Sequence, residues 1–242
     1  MEKPKNEGRS MVIVFLSKSE LRFLGILLGI GCLVGMIGYQ YRAMLVQGWL
    51  SQLTVVLDPG HGGVDGGACD SQGNLEKDIN LLIGLEVEKQ LRQSGLAVVM
   101  TRRTDTDLAP FHSGHRGRHR RDLIRRIEIA RQHRCRYFVS IHCDSSTAAR
   151  KKGAFVFYNW RSPQSKGLAD AIQQELNQIQ EHPGKDAPGK YLVIRQNGLT
   201  GVLVEVGYLS NPKERQLLQN SRYQAEMSLA IARGILGFIK KQ

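Results

Sequence analysis

From Thr54 onward, short apolar runs alternate with segments of helical periodicity, and this alternation restricts the fold more than any other feature. Thr54–Asp58 (TVVLD), Leu96–Thr101 (LAVVMT), Tyr137–His142 (YFVSIH), Ala154–Tyr158 (AFVFY) and Val202–Val206 (VLVEV) read as buried strands. Leu75–Ser94 reads as a helix, with Leu75, Ile79, Leu82, Leu85 and Leu91 at helical spacing and Gly95 just past its end. Leu123–His133, Ser165–Gln180 and about Arg222–Lys240 read as further helices. Asn211-Pro212-Lys213-Glu214 supplies an N-cap, a Pro at the first helical position and a Glu capping partner. Tyr191–Ile194 reads as a short edge strand. The expected class is α/β: a single domain with a mostly parallel twisted sheet flanked by helices on both faces, preceded by an N-terminal transmembrane helix.

That first helix is set apart by composition. Phe23–Tyr39 is an apolar run of 17 residues with no charge and no Pro. As a helix it reaches about 25 Å, close to the hydrocarbon thickness of a bilayer. It is Gly-rich and lacks a polar face, which argues against a buried core helix. Lys3, Lys5, Arg9, Lys18 and Arg22 precede it and favour a cytoplasmic N-terminus. Val46-Gln47-Gly48 is a weak signal-peptidase site and no A-x-A site occurs, so the expectation is a retained anchor. The expected organisation is a basic cytoplasmic segment at 1–22, the anchor or uncleaved signal at 23–41, a linker at 42–52 and a catalytic domain at 53–242. The expected location is the cell membrane, single-pass, with the domain extracytoplasmic.

The formal charge of +12 is unevenly spread: Thr101–Arg136 holds 11 Arg, 4 acids and no Lys. One reading is a solvated loop leading into a helix. The other is a surface whose Arg side chains hold carboxylates or the phosphates of wall polymers. His112, His115 and His119 have only loose metal-ligand spacing. Nucleic acid is not an expected partner, because the domain lies outside the cell and carries no nucleic-acid motif. Four cysteines make no disulfide framework; Cys135 and Cys143 flank a strand that holds them about 26 Å apart.

Function in open α/β sheets gathers at the carboxyl ends of the strands. TVVLD runs into Pro59-Gly60-His61-Gly62-Gly63, YFVSI ends in His142, and VLVEV carries Glu205 near its end. Glu76 lies in the first turn of the helix after the His61 loop, where the helix dipole favours the carboxylate. His61, Glu76 and His142 form a two-His, one-carboxylate set, the complement of a catalytic zinc site with an open position. Glu205 lies in an apolar strand with no salt-bridge partner there. Such a carboxylate is costly unless paired, protonated or functional, and this one is suited to act as general base. Asn80, one turn after Glu76, is either an outer partner of the site or an exposed polar residue. Asp58 is expected to tie down the turn. Cys143 should point away from His142 and is excluded as a ligand.

Taken together, LDPGHGGVDGGA, GNLEKDINL, TRRTD, FVSIHCDSS and GVLVEVGYLSN resemble the zinc-dependent N-acetylmuramoyl-L-alanine amidase family, from about Thr54 to Lys240. The resemblance implies that His61, Glu76 and His142 are Zn2+ ligands and Glu205 the catalytic carboxylate. It implies hydrolysis of the amide between N-acetylmuramic acid and the L-alanine of the stem peptide, with peptidoglycan glycan strands and stem peptides as partners. The short chain, single anchor and absence of wall-binding repeats most resemble the sporulation and germination-specific membrane-anchored members. Those strip stem peptides so that muramic lactam forms in spore cortex, which implies the space between forespore and mother-cell membranes as a location and an activating protein as a candidate partner. Two other readings stand beside this one: a non-catalytic wall-binding or scaffolding protein on an amidase fold, and a zinc peptidase cutting elsewhere in the stem peptide.

Overall fold

A computed structural model describes residues 17–50, 54–109, 117–148, 150–196 and 198–242. Most of the expected cytoplasmic segment, residues 51–52 of the expected linker, and His112 and His115 therefore lie outside the described residues. The chain forms two compact units, Met1–Val46 and Gln47–Gln242. Helix α1 (Lys18–Leu50) contains Leu21–Arg42, 22 residues of mean hydropathy 2.1 with none of it buried. Length and composition make this stretch able to cross a membrane.

The second unit is built on one sheet of β1 (Thr54–Pro59), β2 (Ala97–Met100), β3 (Tyr137–Asp144), β4 (Phe155–Tyr158), β5 (Ala187–Pro188) and β6 (Thr200–Tyr208), ordered β2-β1-β3-β6-β4-β5. The first four in that order are mutually parallel; β4 runs antiparallel to β6 and parallel to β5. Helices α2 (Glu76–Gln93), α4 (Pro163–Leu176) and α6 (Ser221–Ile239) cover one face. Helix α3 (Arg118–Gln132) and a 3-10 turn at Leu192–Ile194 cover the other, over Val56, Phe138 and Leu203. Helix α5 (Pro212–Leu218) follows β6. Burial on both faces explains why β6 reads as an apolar run broken by Glu205: all nine of its residues are buried. Helices α4 and α6 meet closely at Gly234, where a Cβ would lie 2.5 Å from the Ile172 Cα.

Several local expectations shift. Tyr191–Ile194 is not an edge strand. Val193 and Ile194 turn inward in the 3-10 turn to cap the smaller core, and the edge is taken by Ala187–Pro188. Helix α3 begins at Arg118, five residues before its first apolar residue, so the Arg-rich stretch is helical there. The inward stripe of α2 is Ile79, Ile83, Val87 and Leu91, and Leu82 faces solvent. Helix α4 stops at Leu176; Gln180 turns back and its Oε1 accepts from Ala154 N. Asn211 caps α5 as expected, accepting from Lys213 and Glu214 N–H. Glu214 does not complete a capping box. Its carboxylate accepts from Gly153 N (2.6 Å) and Tyr208 N (2.8 Å), tying the start of β4 to the end of β6. All four cysteines are free, with Cys135 and Cys143 buried.

Candidate active site

The first functional side chain is placed by a strained turn. His61 follows β1 with φ +62, a left-handed conformation uncommon for a residue with a Cβ, and Gly62 and Gly63 continue at +134 and +60. Two buried arginines hold this backbone. Arg102 donates to Pro59 O and Gly60 O, both 2.9 Å, and to Lys77 O at 2.7 Å. Arg126 donates to Pro59 O at 3.0 Å and to His61 O at 2.7 Å. Arg126 is itself fixed by Asp58 (2.6 Å) and Asp122 (2.7 Å). Asp58 also accepts from Thr101 Oγ1 and Ser140 Oγ, each at 2.7 Å. Burial works against its charge, but Arg126 and these donors hold its carboxyl below the usual aspartate value. Asp58 thus ties the turn down, as expected. Farther along the loop, Lys77 Nζ donates to Gly63 O, and Asp105 bridges Lys77 Nζ and Gly63 N.

The strands and α2 then bring His61, Glu76 and His142 together, with one ligand atom of each within 4.8 Å of the others. Glu76 Oε1 lies 3.2 Å from His61 Nε2 and 2.9 Å from His142 Nδ1. The two imidazoles meet edge to face, with centroids 4.9 Å apart. Glu76 is buried and well supplied with donors: Asn80 Nδ2 and Cys143 N at 3.1 Å to Oε1, and Ala68 N at 2.9 Å to Oε2. Asn80 is fully buried, which resolves its role in favour of an outer partner of Glu76. The Cys143 thiol lies 3.5 Å from Asn80 Oδ1, and its backbone N–H rather than its sulfur serves the site.

Electrostatics there favour positive charge. Burial lowers the basicity of His61, yet Asp65 and Glu76 overcome it and raise its pKa to about 9. Burial opposes the charged form of Glu76, and His142 and His61 hold its carboxyl well below the ordinary glutamate value. Glycines leave the room required. A Cβ on Gly60 would sit 2.2 Å from His142 Cε1, and one on Gly67, at φ +68, would sit 2.6 Å from Glu76 Oε2.

Glu205 pairs in register with His142 across β3 and β6, so both side chains leave the sheet on one face. It is 6 % exposed, and its Oε2 is buried with no hydrogen-bond partner among the described residues. Burial, then the charges of Glu76 and Asp144, push its pKa well above the ordinary carboxyl value; His61 pulls the other way. Glu205, Glu76 and both imidazoles line one cavity of about 390 Å³, together with Tyr191 and His119. The donor set, the glycine clearance and the orphaned carboxylate oxygen fit a divalent metal held beside a proton acceptor.

Residues 55–237 match the Amidase_3 family, N-acetylmuramoyl-L-alanine amidase. The chain belongs to that family. The germination-specific N-acetylmuramoyl-L-alanine amidase of Bacillus subtilis (strain 168) is 34% identical over 93% of this chain and 98% of its own length. The amidase AmiA of Escherichia coli (strain K12) is 27% identical over 76% of this chain and 75% of its own. Among solved structures, the CwlD amidase from Clostridioides difficile, in complex with the GerS lipoprotein, superposes with a TM-score of 0.74 at 33% identity, covering 78% of this chain and 100% of that one. The protein is therefore an N-acetylmuramoyl-L-alanine amidase, a cell-wall hydrolase on an α/β fold.

Within this amidase, sequence reasoning missed the residues that hold the His61 loop: Arg102, Arg126, Lys77 and Asp105. One signal was present, the i,i+4 pair Asp122–Arg126 inside α3. It also missed Asp65, whose carboxylate lies 3.1 Å from His61 Nδ1. Of the loosely spaced histidines, His119 lies at the cavity, 3.5 Å from the same carboxylate.

Proposed function

We propose that this amidase is a zinc enzyme in which His61, Glu76 and His142 hold the metal and Glu205 moves the proton, and that it works on spore-cortex peptidoglycan from a membrane anchor. The observation that carries the chemistry is the convergence of the three ligand atoms within 4.8 Å, with the Glu205 carboxylate lining the same cavity. Zinc, when bound, polarises the scissile carbonyl and acidifies a water molecule. Glu205, which lines the same cavity, would accept a proton from the attacking water. It then delivers the proton to the departing L-alanine amine. Asn80, Cys143 N–H and Ala68 N–H keep Glu76 aimed, while Arg102 and Arg126 keep His61 in its left-handed turn.

Chelation tests the metal. Dialysis against a strong chelator abolishes release of free L-alanine amino groups from purified wall, and stoichiometric zinc restores it. Muropeptides showing cleavage deeper in the stem would overturn the assignment of the bond. Gly60→Ala tests the clearance beside His142: the added methyl displaces the imidazole, and zinc affinity falls about 10–100-fold, as for disturbed outer partners of a metal site. Titration against a zinc indicator measures it.

The cellular setting rests on the relatives and on α1. The 34% identical Bacillus subtilis enzyme is germination-specific and matches over nearly its whole length, which supports a cortex role. Leu21–Arg42 supports a single-pass anchor with the domain outside the cytoplasm. The CwlD amidase was solved with a lipoprotein partner, and an activating protein partner is proposed for this chain on that ground. Spores lacking the enzyme are expected to contain cortex without muramic lactam; unchanged cortex would contradict this role.

A further inference from the structure

The edge of the sheet away from the catalytic groups is basic and holds no acid. The catalytic groups occupy the carboxyl ends of β1, β3 and β6. The amino ends of these strands, the far end of β4 and the C-terminal end of α6 form the opposite edge. Phe238 in the last turn of α6 packs against Tyr137, the first residue of β3, which puts the chain's C-terminus there as well. The described segments composing this edge are residues 94–96, 133–136, 159–162, 195–196, 198–199 and 240–242. They contain Arg134, Arg136, Arg161, Arg195, Lys240 and Lys241, and no Asp or Glu. All six basic residues are exposed. Acids on the adjoining helices are already engaged: Glu88 with Arg92 and Arg103, Glu128 with Arg125, and Asp170 with Lys166. The catalytic rim is mixed in sign: Asp65 and Asp70 in the His61 loop and Asp105 and Asp107 after β2 stand beside Arg102, Arg103 and, in the β3–β4 loop, Arg150, Lys151 and Lys152.

An apolar group lies within this basic edge. Trp160, in the turn after β4, is 57% exposed, and the Arg161 guanidinium lies 4.8 Å from the centre of its ring. An exposed indole beside cationic side chains is the pairing that settles at a membrane–water interface. Chain connectivity supplies the second argument. The apolar span ends at Arg42, α1 continues to Leu50, and β1 begins at Thr54. Arg136 N donates to Thr54 O at 3.3 Å, so the basic edge adjoins the first residue of β1, the part of the domain nearest in sequence to the apolar span.

We propose that this edge is a membrane-contact surface, in which Arg134, Arg136, Arg161, Lys240 and Lys241 engage anionic lipid headgroups and Trp160 sits at the interface. The proposal rests on the reading of α1 as a membrane anchor. Its consequence is orientation: the catalytic rim, one strand length of about 26 Å away, faces outward to the wall rather than the lipid. Attraction to anionic headgroups is worth most when several basic side chains share one face, and it is screened by salt.

The unit Gln47–Gln242 has its own core and corresponds to the whole of the solved CwlD chain, so it can be tested without α1. It is sedimented with sucrose-loaded vesicles of phosphatidylglycerol and phosphatidylcholine, or of phosphatidylcholine alone. The expected result is salt-sensitive binding to the anionic vesicles only. Reversal of three charges on the edge (Arg134→Glu, Arg136→Glu and Arg161→Glu) should weaken that binding more than about tenfold. The same reversal at Arg150, Lys151 and Lys152, in the β3–β4 loop at the other rim, should leave it unchanged. Equal loss from both triple variants, equal binding to neutral vesicles, or no binding to anionic ones overturns the proposal. So does retention on immobilised polyphosphate without vesicle binding, which would assign the edge to a wall polyanion. The anchor is judged separately: extraction of the full chain from membranes by alkaline carbonate would refute it, whereas the vesicle assay reports on the edge alone.

Discussion

Glu205→Gln leaves the fold and the zinc content intact and lowers hydrolysis by about 10²–10⁴-fold, the range for losing a general acid–base. The amide has the size of the carboxylate but cannot take up a proton at neutral pH. The substitution acts on a side chain that burial and two neighbouring carboxylates already penalise when charged. Folding stability is therefore expected to hold or rise slightly, as when a strained functional group is neutralised. Release of free L-alanine amino groups from purified wall, measured beside metal content and melting temperature, separates the two effects. An active Gln variant would remove Glu205 from the chemistry; an inactive one that has also lost its metal would make its role structural.

Replacing Arg126 by Met has the largest expected effect on stability. Its guanidinium is 2 % exposed and joins Asp58 and Asp122 to the carbonyls of Pro59 and His61. Without it two buried carboxylates lose their ion-pair partner, and only Arg102 still offsets the charge of Asp58, at a cost of about 3–5 kcal/mol. That is a large share of the roughly 5–15 kcal/mol that holds a typical domain folded. Arg126→Lys is not a mild alternative, since one ammonium cannot serve several acceptors in a plane. Asp58→Asn added to Arg126→Met should recover part of the loss, because it removes one of the stranded charges. The pH dependence has a defined sign. The carboxyl of Asp58 is depressed in the folded state, so its contribution is fully present above the ordinary aspartate pKa of about 3.9 and is lost as pH falls from there through the lower folded value. Denaturant melts of both variants and the parent between neutral and acid pH measure these terms.

The sheet and the residues that converge at the candidate site were legible because they follow one rule: parallel strands buried on both faces announce themselves as apolar runs, and their carboxyl ends are where polar groups interrupt those runs. His61, His142 and Glu205 interrupt in that way, and Glu76 opens the helix after the first of them. Their supports were not legible. Arg126 lies in an Arg-rich helix whose polar residues look like a solvated face, and its partner Asp58 is 68 residues away. Arg102 follows a strand in the same manner as the exposed Arg103 beside it, and only the path of the His61 loop separates the two. Tyr191–Ile194 failed for a different reason. A short apolar run carries no period, so whether Val193 and Ile194 cap a core from a 3-10 turn or extend a sheet edge depends on packing alone. Glu214 matched a capping box by spacing, but the backbone N–H groups of Tyr208, at the end of β6, and of Gly153, just before β4, made the stronger claim on its carboxylate.

X-ray absorption at the zinc edge, on protein carrying its native metal, tests the central claim most directly. The account predicts one zinc per chain, bound by two imidazole nitrogens and a carboxylate oxygen at about 2.0–2.2 Å with a further light atom completing the shell. His61→Ala, Glu76→Ala and His142→Ala should each lose that signal and activity together. Full hydrolysis by metal-free protein, or a zinc shell that survives all three substitutions, would contradict it.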